Sequence, residues 1–449
     1  MRDLFFVGFL AAFLALGLRR PFLFVLAYAY VDIVAPQRLS YYLLNSIPVS
    51  MIVAALAVAG WLVGDARRGV SFSGRQGLIL LLLAYAGFTT LAADFPEAAV
   101  TKWAWVWKAV FWSLFLPLVL RTRIRIEAYL LVMILSAAAI IIVGGIKTLA
   151  SGGGYGALNL MVDNNTGLYE GSTISCFAVA IVPIILWLGR YGTIFPRDWR
   201  VRLFAAALIF ACLLIPVGTE ARTGLVCIAV LAILLLRDVK RRLIYIGALS
   251  LAAVAVIPFL PQTFTNRMET IQTPEEDSSA STRLAVWAWT WSYVQDHPLG
   301  GGFDAYLQNE ISFEVRGGPV TPSTATQRDS ARAYHSAYFE MLGEQGYPGL
   351  ALFLLIHLSG LVGMERIRRR YRSRGEDEAW VSPLATALQS GEIIYLVGGA
   401  FLGIAWQPFI YMLIGVQMGF VTWVRRRERA ASGKPRPIAL PFAAQSARN

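Results

Sequence analysis

His335 sits in Ala331-Arg332-Ala333-Tyr334-His335-Ser336-Ala337-Tyr338, where a long polar segment gives way to an apolar run. Imidazole is the side chain best suited to take a proton near neutral pH. The positive end of the helix expected after it, and the nearby cations Arg328 and Arg332, both disfavour imidazolium, so His335 would stay a neutral base. A lone histidine is also a common packing residue, and this position alone leaves both readings open. Two arginines offer the next chemistry. Arg222 lies in Gly218-Thr219-Glu220-Ala221-Arg222-Thr223-Gly224, a tight turn between apolar runs. Its guanidinium could clamp an anion of phosphate geometry, or form an ion pair that anchors the turn. Arg283, Trp287 and Trp291 recur every four residues and so share one helix face. That face either rests on the bilayer through its tryptophans or presents an arginine at the depth of a lipid headgroup.

Other candidates carry less. His297 stands beside Pro298, and His357 falls inside an apolar run. Glu275-Glu276-Asp277 could hold a cation but has no partner acidic cluster at ligand spacing, and fits a solvated turn. No Walker loop, dinucleotide fingerprint, nucleophile elbow or histidine-rich zinc motif occurs, so neither a metal nor a cofactor is expected. Cys176, Cys212 and Cys227 lie in apolar runs without disulfide or zinc spacing and are expected to pack.

The elements that position these groups follow from composition. Of 449 residues, 57% are hydrophobic and 15% charged, with a mean hydropathy of +0.57. That excludes a soluble globular chain and predicts an all-α polytopic membrane protein. Apolar runs fall near 4–18, 21–36, 46–64, 77–93, 104–120, 127–147, 169–189, 203–219, 223–236, 243–260, 338–362, 386–404 and 406–424. They predict about 12 to 13 transmembrane helices in a single domain spanning 1–449, the first two runs being short enough to tilt or form a hairpin. The amino-terminal run has no small-residue cleavage motif after it and reads as an uncleaved anchor.

The net charge of +12 is spread in short clusters between runs. It therefore fits the positive-inside rule better than a nucleic-acid surface. Alternating the loops puts Arg19 and Arg20, Arg67 and Arg68, and the clusters at 121–125, 190–202, 237–242, 366–374 and 425–429 on the cytoplasmic side. The amino terminus is then outside, the carboxyl terminus inside, and 261–337 is the one large outer loop. Within it, 272–281 is polar and acidic. Ser281-Thr282 can cap a helix running to about Gln295, which His297-Pro298-Leu299-Gly300-Gly301-Gly302 stops. The 317–326 stretch reads as a surface loop, and a second outer loop, 151–165, carries Asp163-Asn164-Asn165. A transporter or flippase is the competing class. It is disfavoured because no internal repeat is visible and midplane charges are scarce, with Asp32, Lys108, Glu220, Arg222 and Glu392 mostly near run ends.

Three of these segments, in order, resemble motifs of the O-antigen ligase family of polytopic bacterial glycosyltransferases. Glu220-Ala221-Arg222-Thr223-Gly224 resembles its Ser-Arg-Thr-Gly turn. Arg283 and Trp287, followed by His297-Pro298-Leu299-Gly300-Gly301-Gly302-Phe303, resemble its arginine, aromatic and Pro-x-x-Gly-x-Gly pattern. His335-Ser336-Ala337-Tyr338 through Gly346-Tyr347-Pro348-Gly349 resembles its His-Asn-x-Tyr motif, with Ser336 in place of the asparagine. The amino-terminal portion, including Pro36-Gln37-Arg38-Leu39 and Asp163-Asn164-Asn165, looks like the branch of O-glycosylation ligases associated with exosortase systems. The resemblance implies a GT-C-like all-α fold in the bacterial inner membrane with its active site facing the periplasm. It also implies transfer of a preassembled glycan from undecaprenyl diphosphate to a hydroxyl, usually of lipid A-core. On matching positions, Arg222 and Arg283 would bind the diphosphate and His335 would activate the acceptor, with Arg328 and Arg332 as auxiliary anion-binding groups. An O-antigen or exopolysaccharide polymerase, or a protein O-oligosaccharyltransferase, would need the same clamp and differ in acceptor.

Overall fold

The computed structural model describes residues 2–64, 72–151, 168–237, 239–256, 265, 278–316 and 324–431. Arg67 and Arg68, the 163–165 triplet and the 275–277 acidic run lie outside the described residues. The amino-terminal half contributes α1 (Arg2–Arg19), α2 (Phe22–Val34), the single turn α3 (Pro36–Leu39), α4 (Val49–Gly64), α5 (Gly74–Leu91), α6 (Pro96–Val119), α7 (Arg123–Ser151) and α8 (Gly171–Tyr191). After it come α9 (Trp199–Gly218), α10 (Arg222–Leu236), α11 (Arg242–Val256) and α12 (Ser278–Asp296). A two-stranded antiparallel hairpin, β1 (Glu310–Arg316) with β2 (Thr324–Ser330), precedes α13 (Ala337–Tyr371), α14 (Val381–Gly399) and α15 (Pro408–Ala431). Among the described residues, α5, α7, α8, α9 and α13 are long and apolar enough to cross a membrane, and α2, α4 and α10 are shorter apolar helices. The protein is an all-α polytopic membrane protein.

The loop before α13 departs from the expectation of helices alone, because the hairpin occupies its second half. Thr324 to Thr326, expected in a surface loop, begin β2, while 317–323 lie outside the described residues. Helix α12 starts at Ser278, ahead of the anticipated Ser281 cap, and stops at Asp296, two residues before Pro298 as its ring requires. The three cysteines are free and buried, as packing residues should be.

Helices α8 and α15 form the buried centre, with α2, α6, α7, α13 and α14 packed around them. The arginine-rich connections meet at one end of this bundle. Arg123 donates to the Tyr191 carbonyl at 2.6 Å and lies over the Trp380 ring, Arg237 pairs with Glu365 at 2.8 Å, and Arg427 with Glu378 at 2.8 Å. At the other end the polar loop is held by the α5–α6 connection. Asp94 accepts from Gln308 at 2.7 Å and from the Tyr293 hydroxyl, and its amide donates to the Gly301 carbonyl at 2.9 Å.

Helix α13 is broken where that loop docks. Gly346 is at φ 62°, ψ −166°, and Pro348 has no N–H, so the carbonyls of Gly343 and Glu344 lose their helical donors. The loop replaces them: Gly301 N donates to the Gly343 carbonyl at 3.1 Å and Gly302 N to the Glu344 carbonyl at 2.9 Å. Tyr347 N donates in return to the Pro298 carbonyl at 3.0 Å. Only glycine suits this approach. A Cβ on Gly300, at φ 82°, would stand 2.5 Å from the Glu344 carbonyl oxygen, and Gly302 is also left-handed at φ 79°.

A buried charge cluster locks the same junction. Lys102 of α6 reaches Glu344 at 2.6 Å, Glu340 at 2.9 Å and Asp304 at 3.4 Å. The remaining carboxylate oxygens are also occupied, Glu340 accepting from Ala405 N at 2.9 Å and Glu344 from Trp406 Nε1 at 3.1 Å. Removing the cation strands the buried carboxylates of Glu340 and Glu344 and the partly buried one of Asp304. Lys102→Met is therefore expected to cost about 3 to 5 kcal/mol and to lower the thermal midpoint in detergent, with Lys102→Arg recovering part of the loss.

Candidate functional site

His335 lies immediately before α13, with Ser336 as the N-cap residue. Its backbone is left-handed at φ 48°, as are those of Ala331 (φ 53°), Asp304 (φ 57°) and Glu220 (φ 51°). Non-glycine residues hold this conformation at a cost of about 1 to 3 kcal/mol each, and only where neighbours impose it. Around His335 the neighbours are identifiable. Trp287 Nε1 of α12 donates to the Tyr334 carbonyl at 2.8 Å, and its ring stacks on Phe339 of α13 at 5.0 Å with planes 4° apart. Asn309 grips the segment from the other side, accepting from Arg332 N at 2.9 Å and donating to the Arg332 carbonyl at 2.7 Å. Tyr334 is buried, and Gly343 is needed beneath it because a Cβ there would collide with the Tyr334 hydroxyl.

Trp287 lies one helical turn after Arg283. The hydrogen bond that holds the backbone of Tyr334 therefore also carries the Arg283 helix against His335. The charge of His335 registers this placement. Crowding by protein, then the Arg283 cation, hold the imidazole below its usual range, with Arg332 acting in the same direction and the Glu170 carboxylate opposing. The residue as a whole keeps solvent-exposed surface. Arg332 has a direct acidic neighbour in Asp329. Arg328 sits exposed on β2 opposite Ser312 and is not among the groups that act on His335.

Arg222 is the first residue of α10, at the positive end of that helix. The turn before it is compact: Ala221 N donates to the Pro216 carbonyl at 3.0 Å, and a Cβ on Gly224 would come within 2.6 Å of Pro216. Thr219 Oγ1 meets Ser175 Oγ of α8 at 2.7 Å, so the turn is fastened to the start of α8. Glu170 caps that start, accepting from Ser172 N at 3.0 Å and Thr173 N at 2.6 Å. The end of α14 joins the two halves of the site. A Cβ on Gly398 would strike Cys176 of α8 and approach Cys227 of α10 at 3.3 Å, and one on Gly399 would meet Ala337 at 3.4 Å. The starts of α8, α10 and α13 thus pack around one end of α14.

The arrangement is a proton acceptor that stays neutral at neutral pH, flanked by guanidinium groups at the loop end of a membrane bundle. It can bind an anion and take a proton from a hydroxyl beside it. Sequence reasoning singled out His335, Arg222 and Arg283 as candidates and did not single out Glu170, Asn309 or the Lys102 cluster, which the structure sets around them. The i, i+4 spacing of Glu340 and Glu344 on an otherwise apolar helix was the available signal for the cluster. Among the described residues, no group of three or more His, Cys, Asp or Glu side chains is placed to hold a metal.

Residues 204–354 match a family model described as O-Antigen ligase, and residues 1–193 match a family of unknown function (DUF5935). No curated protein matches the chain.

Acylation of His335 by diethylpyrocarbonate, which attacks neutral imidazole, checks the electrostatics, with His335→Gln as the blank. The midpoint is expected below the ordinary value of about 6.5. Glu170→Gln, which removes an anion, should lower it further, and Arg283→Gln, which removes a cation, should raise it.

Proposed function

We propose, from the match of residues 204–354 to a family model described as O-Antigen ligase, that the protein is an inverting, metal-independent glycosyltransferase. It moves a preassembled glycan from undecaprenyl diphosphate to a hydroxyl of lipid A-core at the periplasmic face of the bacterial inner membrane. The observation that carries this reading is the Arg283 cation acting on His335, with Arg222 beginning a helix that packs at the same end of α14, opposite the arginine-rich end. The charge asymmetry supports placing that end outside.

The chemistry follows from the leaving group. The acceptor hydroxyl oxygen attacks the anomeric carbon while the bond from that carbon to the diphosphate oxygen breaks, so the configuration inverts. Negative charge grows on the departing diphosphate. Arg222 and Arg283 bind it, each worth about 10²- to 10³-fold by analogy with an oxyanion donor. His335 accepts the hydroxyl proton, worth about 10²- to 10⁴-fold. A depressed imidazole pKa keeps that acceptor available at neutral pH. The apolar helices hold the polyprenyl tail beside the site.

Purified protein given undecaprenyl-diphosphate glycan together with lipid A-core, a second lipid-linked glycan or a peptide tests the assignment. Glycan appearing on lipid A-core supports it. Product on the lipid-linked glycan would identify a polymerase, and product on the peptide a protein O-oligosaccharyltransferase. His335→Ala should reduce transfer by about 10²-fold or more while the protein stays folded, and a wild-type rate would remove His335 as the base. Arg222→Lys replaces a fork by a point charge and should impair use of the lipid donor; unchanged donor kinetics would make Arg222 a structural anchor.

A further inference from the structure

At the arginine-rich end of the bundle, a narrow crevice opens between α7, α8 and α9. Ile134, Leu135, Ile185, Leu188, Phe204 and Leu208 give it hydrocarbon walls, and the 192–197 connection closes one side. Glu127 also borders it, but this carboxylate is fully engaged. It accepts from Arg123 Nε at 2.7 Å, Thr193 N at 2.8 Å and Thr193 Oγ1 at 2.6 Å, so it offers nothing to a polar ligand. These walls suit an apolar occupant.

The rim carries the opposite chemistry. Arg197 borders the crevice, and Arg190, Arg200 and Arg202 lie next to lining residues in the chain; all four are exposed, without an ion pair among the described residues. Arg190 and Arg200 lie over the rings of Tyr191 and Trp199 instead. The acid among them, Asp198, gives Oδ1 to Val201 N at 3.0 Å as the cap of α9. Phe195 and Trp199, 52% and 63% exposed, stand between the cations as interfacial aromatics do. An apolar slot edged by cations without acidic partners complements a molecule with one hydrocarbon chain and an anionic head.

We propose that this crevice binds an anionic phospholipid, one acyl chain lying between α7, α8 and α9 and the phosphate held by Arg197, Arg200 and Arg202. Basic pockets between membrane helices recognise anionic headgroups through the same combination of charge and slot. With the orientation adopted above, the lipid belongs to the cytoplasmic leaflet. The site is independent of the glycosyl-transfer reading. It grips the arginine-rich ends of three helices, two of which, α8 and α9, reach the Glu170 cap and the Arg222 turn at their other ends.

Native mass spectrometry of the purified full chain, with phosphatidylglycerol or phosphatidylcholine added, tests it. One phosphatidylglycerol should be retained in preference to phosphatidylcholine, and each of Arg197→Gln, Arg200→Gln and Arg202→Gln should weaken retention about fivefold. Two variants fill the slot without touching the charges, Ala205→Trp and Gly189→Leu. The second keeps the test open if the first fails to fold, since a Cβ on Gly189 meets only Ala205, at 3.7 Å. Loss of phosphatidylglycerol selectivity in a folded slot-filled variant is the expected result. Equal retention of the two lipids by the wild type overturns the proposal, and so does undiminished selectivity after filling, which would leave only surface charge attracting lipid.

Discussion

The break in α13 is the constraint on which the rest of the site depends. A membrane helix cannot leave carbonyls unpaired in an apolar surrounding, and the left-handed Gly346 followed by Pro348 frees two of them. The amides of Gly301 and Gly302 fill the gap, and they can do so only because the preceding turn lacks side chains. One consequence is that two glycine-containing motifs more than 40 residues apart form a single structural piece. Neither motif touches the proposed reacting groups. Their work is to dock the polar loop, and with it Phe303 and Asp304, onto the helix that His335 precedes.

Charge reinforces the docking from the opposite side. Lys102 comes from the segment matching a family of unknown function, whereas Asp304, Glu340 and Glu344 come from the segment matching the ligase family. Glu170, the anion that acts on His335, also belongs to the amino-terminal segment. The site's electrostatics are therefore assembled across both matched segments. A buried cluster of this kind adds little net stability compared with an apolar core, but its members cannot be removed singly without leaving an uncompensated charge.

The surroundings of His335 reverse that pattern. Guanidinium groups act on it there, and the backbone is held in left-handed conformations at Ala331 and His335. Strain of this sort persists only where the surroundings over-determine it, and here Trp287 and Asn309 supply the restraint. On the proposed reading, a segment restrained in this way would carry its imidazole without reorganisation, which is the condition under which a general base is effective.

The sequence alone determined the class of fold and the clustering of positive charge between apolar runs, and it nominated three residues for chemistry. These rest on local patterns: hydropathy over about twenty residues, the spacing of arginines, and residue types next to a helix start. It also led to buried cysteines, because apolar flanks by themselves specify packing. Tertiary structure decided what those patterns leave open. Thr324 to Thr326, expected in a surface loop, went into a strand paired with Glu310–Arg316, because strand pairing is a relation between segments. Arg328 went to that hairpin while Glu170, distant in the chain, came to act on His335. The reason is physical: a hydrogen bond or ion pair depends on separation in space, and the Lys102 cluster joins positions more than 200 residues apart that no local period can relate.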